Sequence, residues 1–121
     1  MTIREFYQSI GANYDIVLKR LLKESLIRKY LTMFLEDKTY DELKKALYDQ
    51  QGEAAFRHAH TLKGLCLNLE LTNISPDIVR LTDDLRGYDI NDHVLEEFKE
   101  FSVLFEQLCQ QIQMVINEDE K

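Results

Sequence analysis

Chain breakers are scarce in this sequence, which has one proline and four glycines among 121 residues. So few of them leave little room for a turn-rich, many-stranded sheet and favour long helices. Tryptophan is absent, and there are two cysteines, Cys66 and Cys109, set far apart. They have no zinc-ligand spacing, and free thiols are the plain reading, as expected in the cytoplasm. Long apolar runs are also missing. None approaches the ~18 residues needed to span a bilayer. The N-terminus, MTIREFYQSI, lacks the cationic start and apolar stretch of a secretory signal. Nor is there an excess of cations. The formal net charge is -7, and such an acidic surface repels a phosphate backbone, which argues against nucleic-acid binding.

What the sequence does contain is ordinary for a soluble globular chain: 45% hydrophobic and 31% charged residues. The length fits one domain, residues 1–121. Thr2 and Glu5 have capping-box spacing and open a short helix that ends at Gly11. A second short helix fits Asn13 to Leu22. Ser25 can cap a third, in which Ile27, Tyr30, Leu31, Phe34 and Leu35 recur at helical spacing. Thr39 and Glu42 form another capping-box signature. After a break at Gln51-Gly52 a long helical pattern runs from Glu53 to about Leu71. Ser75-Pro76 then reads as a cap followed by the first helical residue, with Gly87 as the left-handed stop.

The last helix is expected from Asp92, with a polar tail from Asn117 to Lys121 that frays. Its seam, Phe98, Phe101, Phe105, Leu108, Ile112 and Val115, advances by alternating steps of three and four. That spacing suits shallow packing along other helices. The expected architecture is all-α: an antiparallel up-down four-helix bundle with short extra N-terminal segments and a core of about residues 25–116.

On a wheel for residues 53–71, Ala55, Leu62, Leu65, Cys66 and Leu69 gather on one side and face the core. His60 lies opposite, with Arg57, Lys63, Gly64 and Leu67 around it. An exposed imidazole is a good phosphoryl acceptor, because a ring nitrogen is free and nucleophilic near neutral pH. Neighbouring cations would favour the charged group. Gly64 costs a helix interior ~1 kcal/mol relative to Ala. It also removes a side chain one turn from His60 and opens space there. His58 points nearly the opposite way and is expected to be satisfied structurally. His93 is expected at the surface.

The stretch Phe56-Arg57-His58-Ala59-His60-Thr61-Leu62-Lys63-Gly64 resembles the signature helix of histidine phosphotransfer (HPt) domains, roughly A-H-x-L-K-G. The order and spacing of the other helices also resemble that family. The resemblance implies that His60 is phosphorylated, that Lys63 lies beside the phosphoryl group and that Gly64 clears a docking path. Asn68 matches a position often occupied by Asn in the family; from the wheel alone, Arg57 is expected to support the phosphoryl group and the apolar Leu67 to join Asn68 in the docking surface. The implied partner is the receiver domain of a response regulator or hybrid histidine kinase. No cofactor, no metal and no membrane are implied, and a cytoplasmic, monomeric, stand-alone carrier is expected. One residue departs from the pattern. The family often has Gly two residues after the Asn, where this chain has Glu70, which leaves open how the helix ends.

The chain has no P-loop and no kinase glycine loop, so it is expected to carry phosphate rather than to act as a kinase. Two other classes compete. One is a non-phosphorylated helical adaptor that keeps the bundle, against which the intact His60-Lys63-Gly64 set argues. The other is a metal- or ligand-binding bundle, against which the absence of any Glu-x-x-His pair argues.

Overall fold

A computed structural model of the chain describes residues 1–119. Those residues form seven helices and no strand: α1 (Ile3–Ser9), α2 (Tyr14–Leu21), α3 (Glu24–Glu36), α4 (Thr39–Tyr48), α5 (Gly52–Asn68), α6 (Ser75–Asp84) and α7 (Asp92–Asp119). The Thr2–Glu5 capping box forms, and Asn13 caps α2 through a 2.9 Å bond from the Asp15 amide. Asn91 does the same for α7, accepting from Val94 N at 2.9 Å. Each of these caps satisfies an amide that the first helical turn leaves unpaired.

α5 packs between α4 and α6, and α7 lies against α3 and α6. The short connections between neighbours make α4, α5, α6 and α7 run up and down, and α1 and α2 extend the bundle against α7 and α3. Ala55 and Ala59 on α5 are fully buried, and their small side chains allow its neighbours to approach. Leu62 and Cys66 continue the same inward stripe. Leu43 and Leu47 of α4, Ile78 and Leu81 of α6, and the whole predicted α7 seam meet it from the other helices. Each large aliphatic or aromatic side chain removed from water contributes about 1.5–3 kcal/mol. Tyr40 stacks on Phe105 with ring centroids 4.1 Å apart, which fastens α4 to α7.

Several helix ends differ from the sequence reading. Lys23, not Ser25, occupies the cap position of α3, so Ser25 sits inside the first turn. The Thr39–Glu42 box does not form. Asp37 accepts from the Thr39 amide at 2.8 Å instead, and Glu42 is engaged elsewhere. Ser75 is already helical, and its hydroxyl donates back to the Leu71 carbonyl at 2.8 Å rather than capping. After α6 the left-handed residue is Tyr88 (φ 65°), not Gly87. Helix α5 stops at Asn68, earlier than Leu71. α7 continues through Asn117 to Asp119, so that part of the tail is helical, and residues 120–121 of the expected frayed tail lie outside the described residues.

Candidate functional site

Helix α5 turns one face inward and the other to solvent, and the second carries the candidate site. His60 is exposed near the middle of the helix, with Arg57 and Gly64 exposed about one turn to either side. Lys63 is half-buried, so it lies at the edge of this face rather than at its centre. Neither Arg57 nor Lys63 forms an ion pair among the described residues, which leaves both cations free to meet an anion. Leu67, two turns beyond His60, is 46% exposed, and Asn68 is exposed next to it.

The sequence reading missed the support beneath His60. The Phe56 ring lies 6.1 Å from the imidazole at an interplanar angle of 55°. Phe56 is in turn held by the Tyr88 ring at 5.8 Å, and the Arg86 guanidinium stands 5.6 Å over it. The connection between α6 and α7 therefore buttresses the histidine from one side. The signal was present, because Phe56 precedes His60 by four residues and shares its face. The close approach depends on Gly52, where an added Cβ would lie 1.9 Å from the Tyr88 carbonyl oxygen. At Gly64 an added Cβ would meet nothing within 4 Å.

His58 points away from this face, as the wheel requires. It is half-buried, with Nδ1 3.3 Å from Glu42 Oε2. His93 is exposed at the start of α7, with Nε2 3.3 Å from Asp84 Oδ2 and 3.1 Å from Glu97 Oε1. Burial, together with the Asp84 carboxylate, pushes the Glu97 carboxyl up to about 7. Among the described residues these three are the one group whose ligand atoms converge, all within 4.8 Å. Two of the three are exposed, and the imidazole stands between the two carboxylates at the surface. Cys66 and Cys109 are both free, and burial pushes their thiols up to about 12 and 11. Both are therefore protonated, weak nucleophiles.

Beyond Asn68 the exposed face meets α3. Tyr30 and Met33 are exposed there, and with Phe34, Leu65 and Asn68 they line a hollow of about 210 Å³. The arrangement is a solvent-facing imidazole, two unpaired cations, a gap at Gly64 and an apolar margin. Among the described residues no helix is long and apolar enough to cross a membrane. The family model described as Hpt domain matches residues 29–118, from within α3 to nearly the end of α7. No curated protein and no solved structure matches the chain.

Proposed function

Because this chain belongs to the Hpt domain family, we propose that it relays a phosphoryl group between His60 and an aspartate of a receiver domain. Family membership supports a phosphotransfer role in a two-component phosphorelay. The observation that carries the specific assignment is the exposed His60 on the one face of α5 that also offers Arg57, Lys63 and an unfilled space at Gly64. A ring nitrogen of His60 attacks the phosphorus of the partner's aspartyl phosphate. The P–O bond to the aspartate breaks, the carboxylate leaves, and a P–N bond remains on His60. The reverse reaction returns the group to an aspartate. The catalytic magnesium and most of the charge stabilisation belong to the receiver, so this chain contributes a positioned nucleophile and two cations.

Leu67, Asn68, Tyr30 and Met33 supply the docking surface, a few apolar anchors within a polar rim as suits a transient signalling contact. The whole of residues 1–121 acts as one unit in this reading, as a monomer in the cytoplasm, where free thiols persist. The test is to mix the protein with a phosphorylated receiver domain. Wild type is expected to acquire acid-labile, base-stable label, and His60→Gln none. Equal labelling of the two would remove His60 from the mechanism.

A further inference from the structure

The last turn of α5 is held from outside the span that the family model matches. Arg20, in α2, donates from one guanidinium nitrogen to the carbonyls of Leu67 at 3.1 Å and Asn68 at 2.7 Å. Its other terminal nitrogen donates to Glu70 Oε1 at 2.9 Å. Tyr7, in α1, donates its hydroxyl to the Leu69 carbonyl at 2.8 Å. Carbonyls at the end of a helix lack intrahelical partners. Here three consecutive ones accept from side chains 47 to 62 residues away.

Two features set this apart from an incidental surface contact. Glu70 adopts φ +55°, a left-handed conformation that favours glycine, and in that conformation its carboxylate meets Arg20. A strained residue persists where its surroundings hold it. The same turn is closed by paired backbone bonds, Leu71 N to Cys66 O at 3.0 Å and Glu70 N to Leu67 O at 3.2 Å. Tyr7 is fully buried, and burial pushes its phenol up, so it stays a protonated donor. The clamp acts on the backbone of Leu67 and Asn68, the residues that carry the exposed face onward from His60 and Gly64.

We propose that Arg20 is a positioning residue: from α2 it fixes the end of α5 so that Leu67 and Asn68 form a preorganised docking face for the receiver domain. The inference rests on the phosphotransfer reading above. A fixed face has less to order when the partner binds, so the effect belongs to docking and not to the nucleophile.

The test compares wild type, Arg20→Gln and Arg20→Lys in three measurements. With a phosphorylated receiver domain as donor, Arg20→Gln is expected to raise KM roughly fivefold to tenfold with kcat within about twofold. With phosphoramidate, a small donor that needs no docking face, it should label His60 at the wild-type rate. Amide hydrogen exchange should accelerate at Leu69 to Leu71 and stay unchanged in the first turns of α5. Arg20→Lys should recover only part of the loss, since an ammonium cannot fork to several acceptors as a guanidinium does. An unchanged KM in Arg20→Gln overturns the positioning role alone. A parallel fall in phosphoramidate labelling also overturns it, by showing general damage to the fold. A wild-type chain labelled by phosphoramidate but by no receiver overturns the phosphotransfer reading, and the positioning role with it.

Discussion

Gly52 and Gly64 stand on the same helix and answer to different neighbours. At Gly52 the chain itself forbids a side chain, because a Cβ would collide with the Tyr88 carbonyl at 1.9 Å. That contact seats the α6–α7 connection against Phe56, and Phe56 against His60. At Gly64 nothing in the chain lies within 4 Å of the missing Cβ. A glycine inside a helix forgoes about 1 kcal/mol relative to alanine, and at Gly64 internal packing supplies no reason for it. The comparison separates a glycine that internal packing requires from one for which internal packing gives no reason.

Three substitutions can break or sharpen this contrast. Gly64→Gln carries the largest expected effect. It should lower transfer from a phosphorylated receiver on the order of a hundredfold, because small displacements of reacting groups cost that much. Its unfolding free energy from a urea melt should stay within about 0.5 kcal/mol of wild type. A variant that transfers at the wild-type rate would show that Gly64 clears nothing. Gly52→Ala should do the reverse and cost about 2–3 kcal/mol of stability through overpacking against backbone. An unfolding curve that superimposes on wild type would mean the Tyr88 connection yields freely, and the two glycines would then be equivalent. Leu67→Ala is the mildest of the three. It should weaken receiver binding by about 1–2 kcal/mol and leave the fold intact. Unchanged affinity in a titration would place the docking face elsewhere on the bundle.

The helical periodicity of α5 and α7 was legible because burial repeats along them. Ala55, Leu62, Cys66 and Leu69 are buried and His60 is exposed, as the wheel places them. Lys63 was only partly legible, since its half-burial depends on neighbours outside its own helix. Local polar signals were less dependable because they compete. Thr2 caps as its spacing to Glu5 suggests, and Asn13, read as the first residue of the second helix, caps it instead. Thr39 loses the task to Asp37, two residues earlier, and Glu42 turns to His58. Ser75 spends its hydroxyl on the Leu71 carbonyl. Tyr88 takes the left-handed position expected of Gly87, and its ring packs on Phe56. The Arg20 clamp could not be read from any window, because its donor and acceptors lie 47 to 50 residues apart.

Position 70 shows how a sequence can leave a family pattern without leaving the fold. An L-residue held in the left-handed region costs about 1–2 kcal/mol. Glycine would relieve that cost, but it would also give the unfolded chain about 0.4–1 kcal/mol more conformational entropy to surrender on folding. The half-exposed ion pair of Glu70 with Arg20 returns up to about 1 kcal/mol. These contributions nearly cancel, so Glu and Gly at this position are close to interchangeable in free energy while Arg20 is present. Once Arg20 is replaced, the ion pair is lost and only the smaller entropy contribution offsets the strain at Glu70. The two positions are therefore epistatic: the double change Arg20→Gln with Glu70→Gly should cost less than the sum of its parts, and exchange of Glu for Gly at position 70 is close to neutral only while Arg20 is present.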